Sequence, residues 1–362
     1  MLPESAASHT VKMLAIIEEW DVGSDCHTDN TVKYLLLVLF KLGLDAAVFY
    51  LCCRKVHTSF LSMCSLSIIL ADLVMAAFLA TVWFLGTERS PVSPCFILAN
   101  ASVTYGALPL PIVFLGLLDY CLEDTFLHNQ STSCKFLRNS ALTLLGWMLA
   151  VIYSFASVKA EPMELKYTTW KKARVCEVQE SIVITYFTLV LFTAVLCATL
   201  PFWSSIPQWL KEADLLAKMR EGQQNQRSDL MFISTNCTDA KSKENYQEVT
   251  SSPRPPLWLS LTMGFSVFWI SYLATCVTCL AFGFGVPSYI SMNTLWLECT
   301  NSFLMGVVFW AKSNTRGPYS NLPENVCLWH VYWHLTKATG QQQHPIAVFN
   351  PSKGKRTTLL FV

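Results

Sequence analysis

The chain has 362 residues, 52% of them hydrophobic and only 14% charged, with a net charge of +1 and a mean hydropathy of +0.38. A soluble domain carries about 25% charge, so the composition argues against an ordinary soluble globule and for a polytopic membrane protein. The near-zero net charge argues against a nucleic-acid partner, and most of the 14 cysteines stand singly inside apolar runs, where Cys is a small hydrophobe.

The opening MLPESAASHTVK has no basic region followed by an apolar core. No cleavable signal peptide is expected, and the first span is expected to act as its own insertion signal. Residues 1–32 read as a short, acidic, solvated extracellular tail without an N-glycosylation sequon. Cys26 in this tail can pair with another extracellular cysteine or stay free.

Span one is expected over about 33–53. Lys41 and Asp45 lie inside it at i and i+4, on one helix face. A lone charge in hydrocarbon costs roughly 2.5–3.5 kcal/mol on insertion scales. Pairing, or facing the bundle interior, lowers that cost, and an internal ion pair is the simplest reading. Arg54 and Lys55 then mark a cytosolic end. Span two is expected over about 59–85, with Asp72 its one ionisable group. Asp72 should face inward and needs a partner.

Span three runs from Cys95 to Cys121. Pro109 and Pro111 each remove a backbone donor near its middle, which predicts a kink or local opening. Span four is expected over about 137–158, with Trp147 near its middle, and the loop 159–180 holds Cys176. Span five is expected over about 181–206. Residues 208–256 form the longest polar stretch, a cytosolic loop. Its first part, Gln208 to Gly222, can continue as a helix, and the rest has the composition of a disordered segment. Spans six and seven are expected over about 257–282 and 286–311, followed by a cytosolic tail, 312–362.

Three smaller motifs are read conservatively. Cys276 and Cys279 form a CxxC inside span six, where helix packing is favoured over metal. Cys327, His330 and His334 have metal-compatible spacing, but a membrane-surface helix is favoured there. The sequons at Asn129 and Asn236 fall in cytosolic loops, so neither is expected to be glycosylated.

Lys and Arg concentrate on the segments assigned to the cytosol. The loop 159–180 runs against this rule with Lys159, Lys166, Lys171, Lys172 and Arg174, partly offset by its acids. The expected fold is an all-α membrane protein: a seven-transmembrane helix bundle with its N-terminus outside and its C-terminus cytosolic, occupying 33–311. Plasma-membrane location follows from that reading.

Such a chain can be a receptor, a transporter or an intramembrane enzyme. All seven histidines lie outside the spans, so a His-based zinc hydrolase lacks its ligands. No Gly-x-Gly-Asp motif precedes a span, and no internal repeat suggests a transporter. Asp45, Asp72 and Glu298 are the best candidates for those rival classes. Cys95 can pair with Cys176 in an oxidising outer compartment, tying the loop to span three. Asp119 lies about 36 Å further along that helix at 1.5 Å per residue.

This arrangement resembles the rhodopsin-like G-protein-coupled receptors over about 33–311. Cys95 opens span three as in that family, and Asp119-Tyr120-Cys121 stands where the family has Asp-Arg-Tyr. Leu70-Ala71-Asp72 is similar to the span-two acidic signature in shortened form. Trp147 matches the span-four tryptophan, and Asp45 falls where span one usually has Asn. Trp269-Ile270-Ser271 stands at the Trp-x-Pro of span six without its proline. Asn301-Ser302-Phe303-Leu304 approaches the span-seven motif, which reads Met305-Gly306-Val307-Val308-Phe309 instead of Asn-Pro-x-x-Tyr.

The resemblance implies a helix-bundle switch driven by an extracellular ligand and read by a heterotrimeric G protein, with no enzyme activity and no cofactor. Asp119, Tyr120 and Cys121 would form the inner-face switch, with coupling weak or atypical because Tyr120 replaces the arginine. Asp45, Asp72, Asn301 and Ser302 would form a polar core. In the family, the positions of Asp72, Asn301 and Ser302 help hold sodium. A hydrogen-bonded core that fixes helix register, and a proton shared by Asp45 and Asp72, are the alternatives. Ser102, Tyr105, Trp269, Tyr272 and Glu298 would line the ligand pocket. Ser102 stands where amine receptors carry Asp, so a peptide or lipid ligand is expected rather than a biogenic amine. Membrane lipid is the other expected partner. A non-signalling membrane partner protein is the competing reading.

Overall fold

The computed structural model describes residues 12–21, 27–52, 60–86, 92–126, 132–158, 162–166, 171–214 and 255–316. These residues are mostly helical. The helices are α1 (Thr31–Cys52), α2 (Phe60–Leu85), α3 (Pro94–Ala107), α4 (Pro109–Phe126), α5 (Thr132–Ser157), α6 (Ile182–Thr199), α7 (Leu257–Ala281), α8 (Ser288–Ser291) and α9 (Thr294–Arg316). A 3-10 turn, Leu200–Phe202, follows α6 at Pro201, and the chain is helical again over 206–214.

Among the described residues, five stretches are long and apolar enough to cross a membrane: Phe60–Leu85, Pro94–Cys121, Ser133–Ser157, Ile182–Phe202 and Leu257–Ala281. The outer faces of the bundle are apolar. On α1, Leu36, Phe40 and Leu44 recur at i, i+4 and i+8 and are exposed. On α5, Leu144, Met148 and Ile152 do the same. A stripe of exposed large hydrophobics at helical spacing has no solvent but lipid to face. The opposite faces bury Val38 of α1, Ile68, Met75 and Leu79 of α2, Leu98 and Tyr105 of α3 and Trp296 of α9 in one continuous core.

Helix breaks fall where proline or chain geometry demands them. Pro109 cannot donate to the ladder, and α3 gives way to α4 at Leu108. The ladder is bridged by Leu108 N–H to Thr104 O (3.1 Å) and Ile112 N–H to Leu108 O (3.2 Å). The expected seventh span is interrupted. The single turn α8 stops at Met292, and α9 restarts at Thr294.

The expectation of an all-α chain with a solvated tail is corrected in one region. Residues from the tail and from the 159–180 loop form a four-stranded antiparallel sheet. Its strands are β1 (Lys12–Asp21), β2 (His27–Asp29), β3 (Met163–Lys166) and β4 (Lys171–Gln179), in the order β2-β1-β4-β3. The cause is local pattern. Ala15 and Ile17 alternate on β1, as Cys176 and Val178 do on β4, and these residues are buried. Ala15, Ile17, Cys176 and Val178 join the same core as Leu98 and Trp296, so sheet and bundle are one packed unit.

Cys26, the Asn129 and Asn236 sequons, residues 215–254 of the 208–256 loop and the Cys327, His330, His334 group lie outside the described residues.

Candidate functional site

Three groups of the singled-out residues occupy three levels of the bundle. The first level is the disulfide end. Ser93 caps α3 by accepting from Cys95 N–H (3.2 Å), and Pro94 at the first turn has no N–H to lose. Cys95 is bonded to Cys176, which fixes β4 to the start of α3. The end of β4 is held twice more. Ser102 Oγ accepts from Gln179 N–H (3.1 Å) and donates to Ala99 O (2.8 Å). Ser288 Oγ donates to Gln179 O (2.8 Å). Ser102 is fully buried, so this pocket candidate is already engaged by the protein's own backbone.

The second level is a buried polar core between α1, α2, α3 and the α8–α9 break. Lys41 Nζ lies 2.8 Å from Asp72 Oδ1 and donates to Tyr289 O at 2.7 Å. Tyr105 Oη donates to the same Asp72 oxygen at 2.7 Å. The Lys41 ammonium sits 4.6 Å from the centre of the Tyr105 ring, which adds a cation–π contact. Lys41 and Asp72 are 5% and 1% exposed, so water cannot screen the pair.

The expected Lys41–Asp45 pairing along α1 is corrected here. Lys41 reaches across to Asp72, and Asp45 serves α9. Asp45 Oδ1 accepts from Thr294 N–H (3.2 Å) and Thr294 Oγ1 (2.9 Å). The first amides of a helix lack intrahelical partners and attract negative charge, and Asp45 supplies it from another helix. Lys preceding Asp at i, i+4 is also the weaker orientation on a helix. Asp72 thus obtains the partner its isolation demanded.

Asn301 and Ser302 are placed elsewhere. Asn301 Oδ1 accepts a hydrogen bond from Tyr120 Oη. Ser302 lines an apolar cavity of about 290 Å³ with Leu191, Ala198, Phe265 and Gly306. A sodium ion on Asp72, Asn301 and Ser302 therefore does not fit. The cation at Asp72 is the ammonium of Lys41, and Asn301 is committed to Tyr120.

The third level is the far end of α4. Asp119 is buried, and its Oδ1 lies 2.5 Å from Arg138 Nη2 on α5. The triplet lacks its arginine, and a guanidinium from the neighbouring helix takes the carboxylate. Arg138 Nε also donates to Asn139 Oδ1 (3.3 Å). Cys121 is exposed at this end of the helix. The remaining pocket candidates are buried in packing. Trp269 packs with Leu191, Val195 and Cys299, Tyr272 meets Trp269 edge-on at 6.5 Å, and Glu298 is buried on α9.

Arg138, Tyr289 and Thr294 are site residues that the sequence reading missed. A buried carboxylate at Asp119 does call for a nearby cation, and Arg138 lies in the second turn of the next helix. That signal was available. Asn293 marks a helix start at Thr294, its Oδ1 accepting from Trp296 N–H (2.8 Å), while nothing local marks the Tyr289 carbonyl.

The rat (Rattus norvegicus) protein named Probable G-protein coupled receptor 160 is 24% identical over 288 residues, covering 78% of this chain and 81% of its own. The chain is similar to this G-protein-coupled receptor. The human (Homo sapiens) protein of the same name is 22% identical over 290 residues, covering 77% and 80%, and the mouse (Mus musculus) protein is 24% identical over 229 residues, covering 62% of each chain. No family model and no solved structure matches. With its apolar spans and its disulfide, the chain is a multi-pass protein of the plasma membrane and receptor-like.

Proposed function

We propose that the chain is a seven-span receptor, with its N-terminus and disulfide outside and its C-terminus in the cytosol. α1 and the α8–α9 pair supply the first and seventh spans beside the five apolar ones. An extracellular ligand biases the bundle between two states, and the cytosolic end of α4 passes the change to a heterotrimeric G protein. A ligand does this only by binding the two states with different affinity.

The observation that carries this reading is the organisation of one span. Its outer end, at Cys95, is bonded to the sheet, and its inner end holds Asp119 and Tyr120, each tied to another helix. A movement of the sheet is thereby mechanically continuous with the inner contacts. The coupling is atypical, because Tyr120 is an uncharged hydrogen-bond donor where the resembled family uses an arginine. The ligand is a peptide or a lipid rather than a biogenic amine, since Ser102 offers no carboxylate and is engaged by Gln179.

Recruitment of G protein by the full-length chain in cells, beside a Tyr120→Arg variant, tests this. Recruitment by the wild type supports signalling through Tyr120. Recruitment by the variant alone supports a receptor frame with weakened coupling. Silence from both, with surface expression verified, leaves a receptor without its agonist and the non-signalling partner protein tied, and a search for physical partners then separates them. That second reading has its own support in the inner face, where Tyr120–Asn301 and Asp119–Arg138 hold α4 to α9 and α5.

A further inference from the structure

The extracellular sheet joins two strands of unequal standing. β4 is fixed at three points: the Cys95–Cys176 bond, the Ser102 Oγ acceptor and the Ser288 Oγ donor. β1 carries no cysteine, so no disulfide anchors it; the chain joins it to β2, with which it pairs from Glu18 opposite Asp29 to Trp20 opposite His27. It is held by its ladder to β4, from Lys12 opposite Gln179 to Asp21 opposite Lys171. Asn30 N–H donates to Ile17 O (2.8 Å) and Tyr34 Oη to Ile16 O (3.1 Å), which clip the strand to the start of α1. Glu18 Oε2 lies 2.9 Å from Arg174 Nη1.

β1 also packs into the bundle. Ile17 and Ala15 point into the core that contains Leu98, Tyr289 and Trp296. Met13 Sδ lies where a side chain on Gly285 would begin, so the α7–α8 connection has no Cβ at the point where the strand passes. A register shift between Ile16 and Glu18 lets Ile17 and Glu18 both turn inward, the first to apolar contacts and the second to Arg174.

We infer that the β4 edge is the receptor's peptide-binding site, that β1 is its built-in occupant, and that the external ligand is an extended peptide that replaces β1 by strand exchange. This rests on the receptor reading above and names its ligand class. Strand addition takes its affinity from main-chain hydrogen bonds and its specificity from alternate side-chain pockets. The ligand required has apolar residues at three alternating positions, matching Met13, Ala15 and Ile17, followed at once by a carboxylate for Arg174. The guest residue at the Met13 position must be flexible or small, because it passes against Gly285.

Tethering explains why such a site would be silent to a free peptide. A short linker holds β1 at an effective concentration of roughly millimolar. A micromolar competitor faces about a hundredfold or greater handicap on that account alone.

The test uses the full-length chain in lipid nanodiscs, with a site-specific protease sequence inserted between Asp21 and His27. The protein folds with β1 seated and is cut afterwards. The probe is a fluorescent synthetic peptide with the sequence of residues 12–21. Binding is read by polarisation, without G protein, so a failure of signalling does not enter the result. The expected outcome is micromolar binding to the cut protein, and binding at least about a hundredfold weaker to the uncut one. Arg174→Glu in the cut protein should abolish binding, and a peptide with Lys in place of Glu18 should restore it. Equal binding to cut and uncut protein overturns the inference. So does a cut strand that never exchanges on long incubation, or exchange indifferent to the Arg174 charge. None of these outcomes touches the G-protein test of the receptor reading.

Discussion

Lys41 Nζ stands 2.8 Å from Asp72 Oδ1, inside the bundle and out of reach of water. A covalently attached cation fills the place beside the span-two carboxylate. Removing one partner of a buried pair leaves the other charge uncompensated, at a cost of about 3–5 kcal/mol. Lys41→Met is therefore expected to lower the melting temperature of the purified protein sharply, and adding Asp72→Asn should recover much of the loss. The same pair predicts the response to salt. The melting temperature of the wild type should be equal in sodium chloride and in choline chloride. Lys41→Met, with its carboxylate vacant, should be stabilised by sodium in proportion to its occupancy. A sodium-dependent wild type would contradict the assignment.

Much of this arrangement was visible in the chain, and the rest was not, for identifiable reasons. Asp72 stood alone in an apolar helix, so its need for a partner was legible. The identity of the partner was not, because Asp45 lies four residues from Lys41 and Asp72 lies on a different helix. Local spacing offers one answer, and the packing of α1 on α2 gives another. β1 failed in a similar way. Met13, Ala15 and Ile17 alternate as a strand should, but Glu18, Glu19 and Asp21 read as a solvated tail. Only pairing with β4 explains a buried Glu18, and that partner lies 156 residues away at Arg174. The proline break in span three was legible because its cause is local to Pro109. The break before α9 has one local cause, Asn293 capping the new helix by accepting from Trp296 N–H (2.8 Å), and one distant cause, Asp45 on the first helix, which local spacing does not reveal.

Asp119 and Arg138 should behave as a coupled pair. Asp119 is buried and Arg138 is 24% exposed, so the interaction lies between the surface and the interior cases. A double-mutant cycle with Asp119→Asn and Arg138→Gln, read by thermal stability, is expected to give a coupling of about 0.5–3 kcal/mol. Independent, additive effects of the two substitutions would show that the ion pair does not hold α4 to α5.

Two glycines separate packing from propensity. Gly146 on α5 has open space where a Cβ would sit, and Gly106 on α3 has Ser288 Oγ 3.1 Å from that point. Gly146→Ala should be neutral or stabilising by up to about 1 kcal/mol, the usual preference for Ala inside a helix. Gly106→Ala gains the same preference but pushes on the Ser288 hydroxyl, which donates to Gln179 O. Its net effect should be the less favourable of the two, and melting temperatures of the single variants decide the order.

Tyr120 provides the last and most functional test. Its hydroxyl donates to Asn301 and ties α4 to α9. A neutral hydrogen bond is worth about 1 kcal/mol net, roughly fivefold in an equilibrium constant. Tyr120→Phe keeps the ring and removes the bond. If the bond belongs to the resting state, the variant should show about fivefold more ligand-independent G-protein recruitment at equal surface expression. Asn301→Ala should do the same, and the double variant should add little, because each change removes the same contact. A loss of recruitment in Tyr120→Phe would place the bond in the active state instead, and additive gains would show that the two residues act through separate contacts.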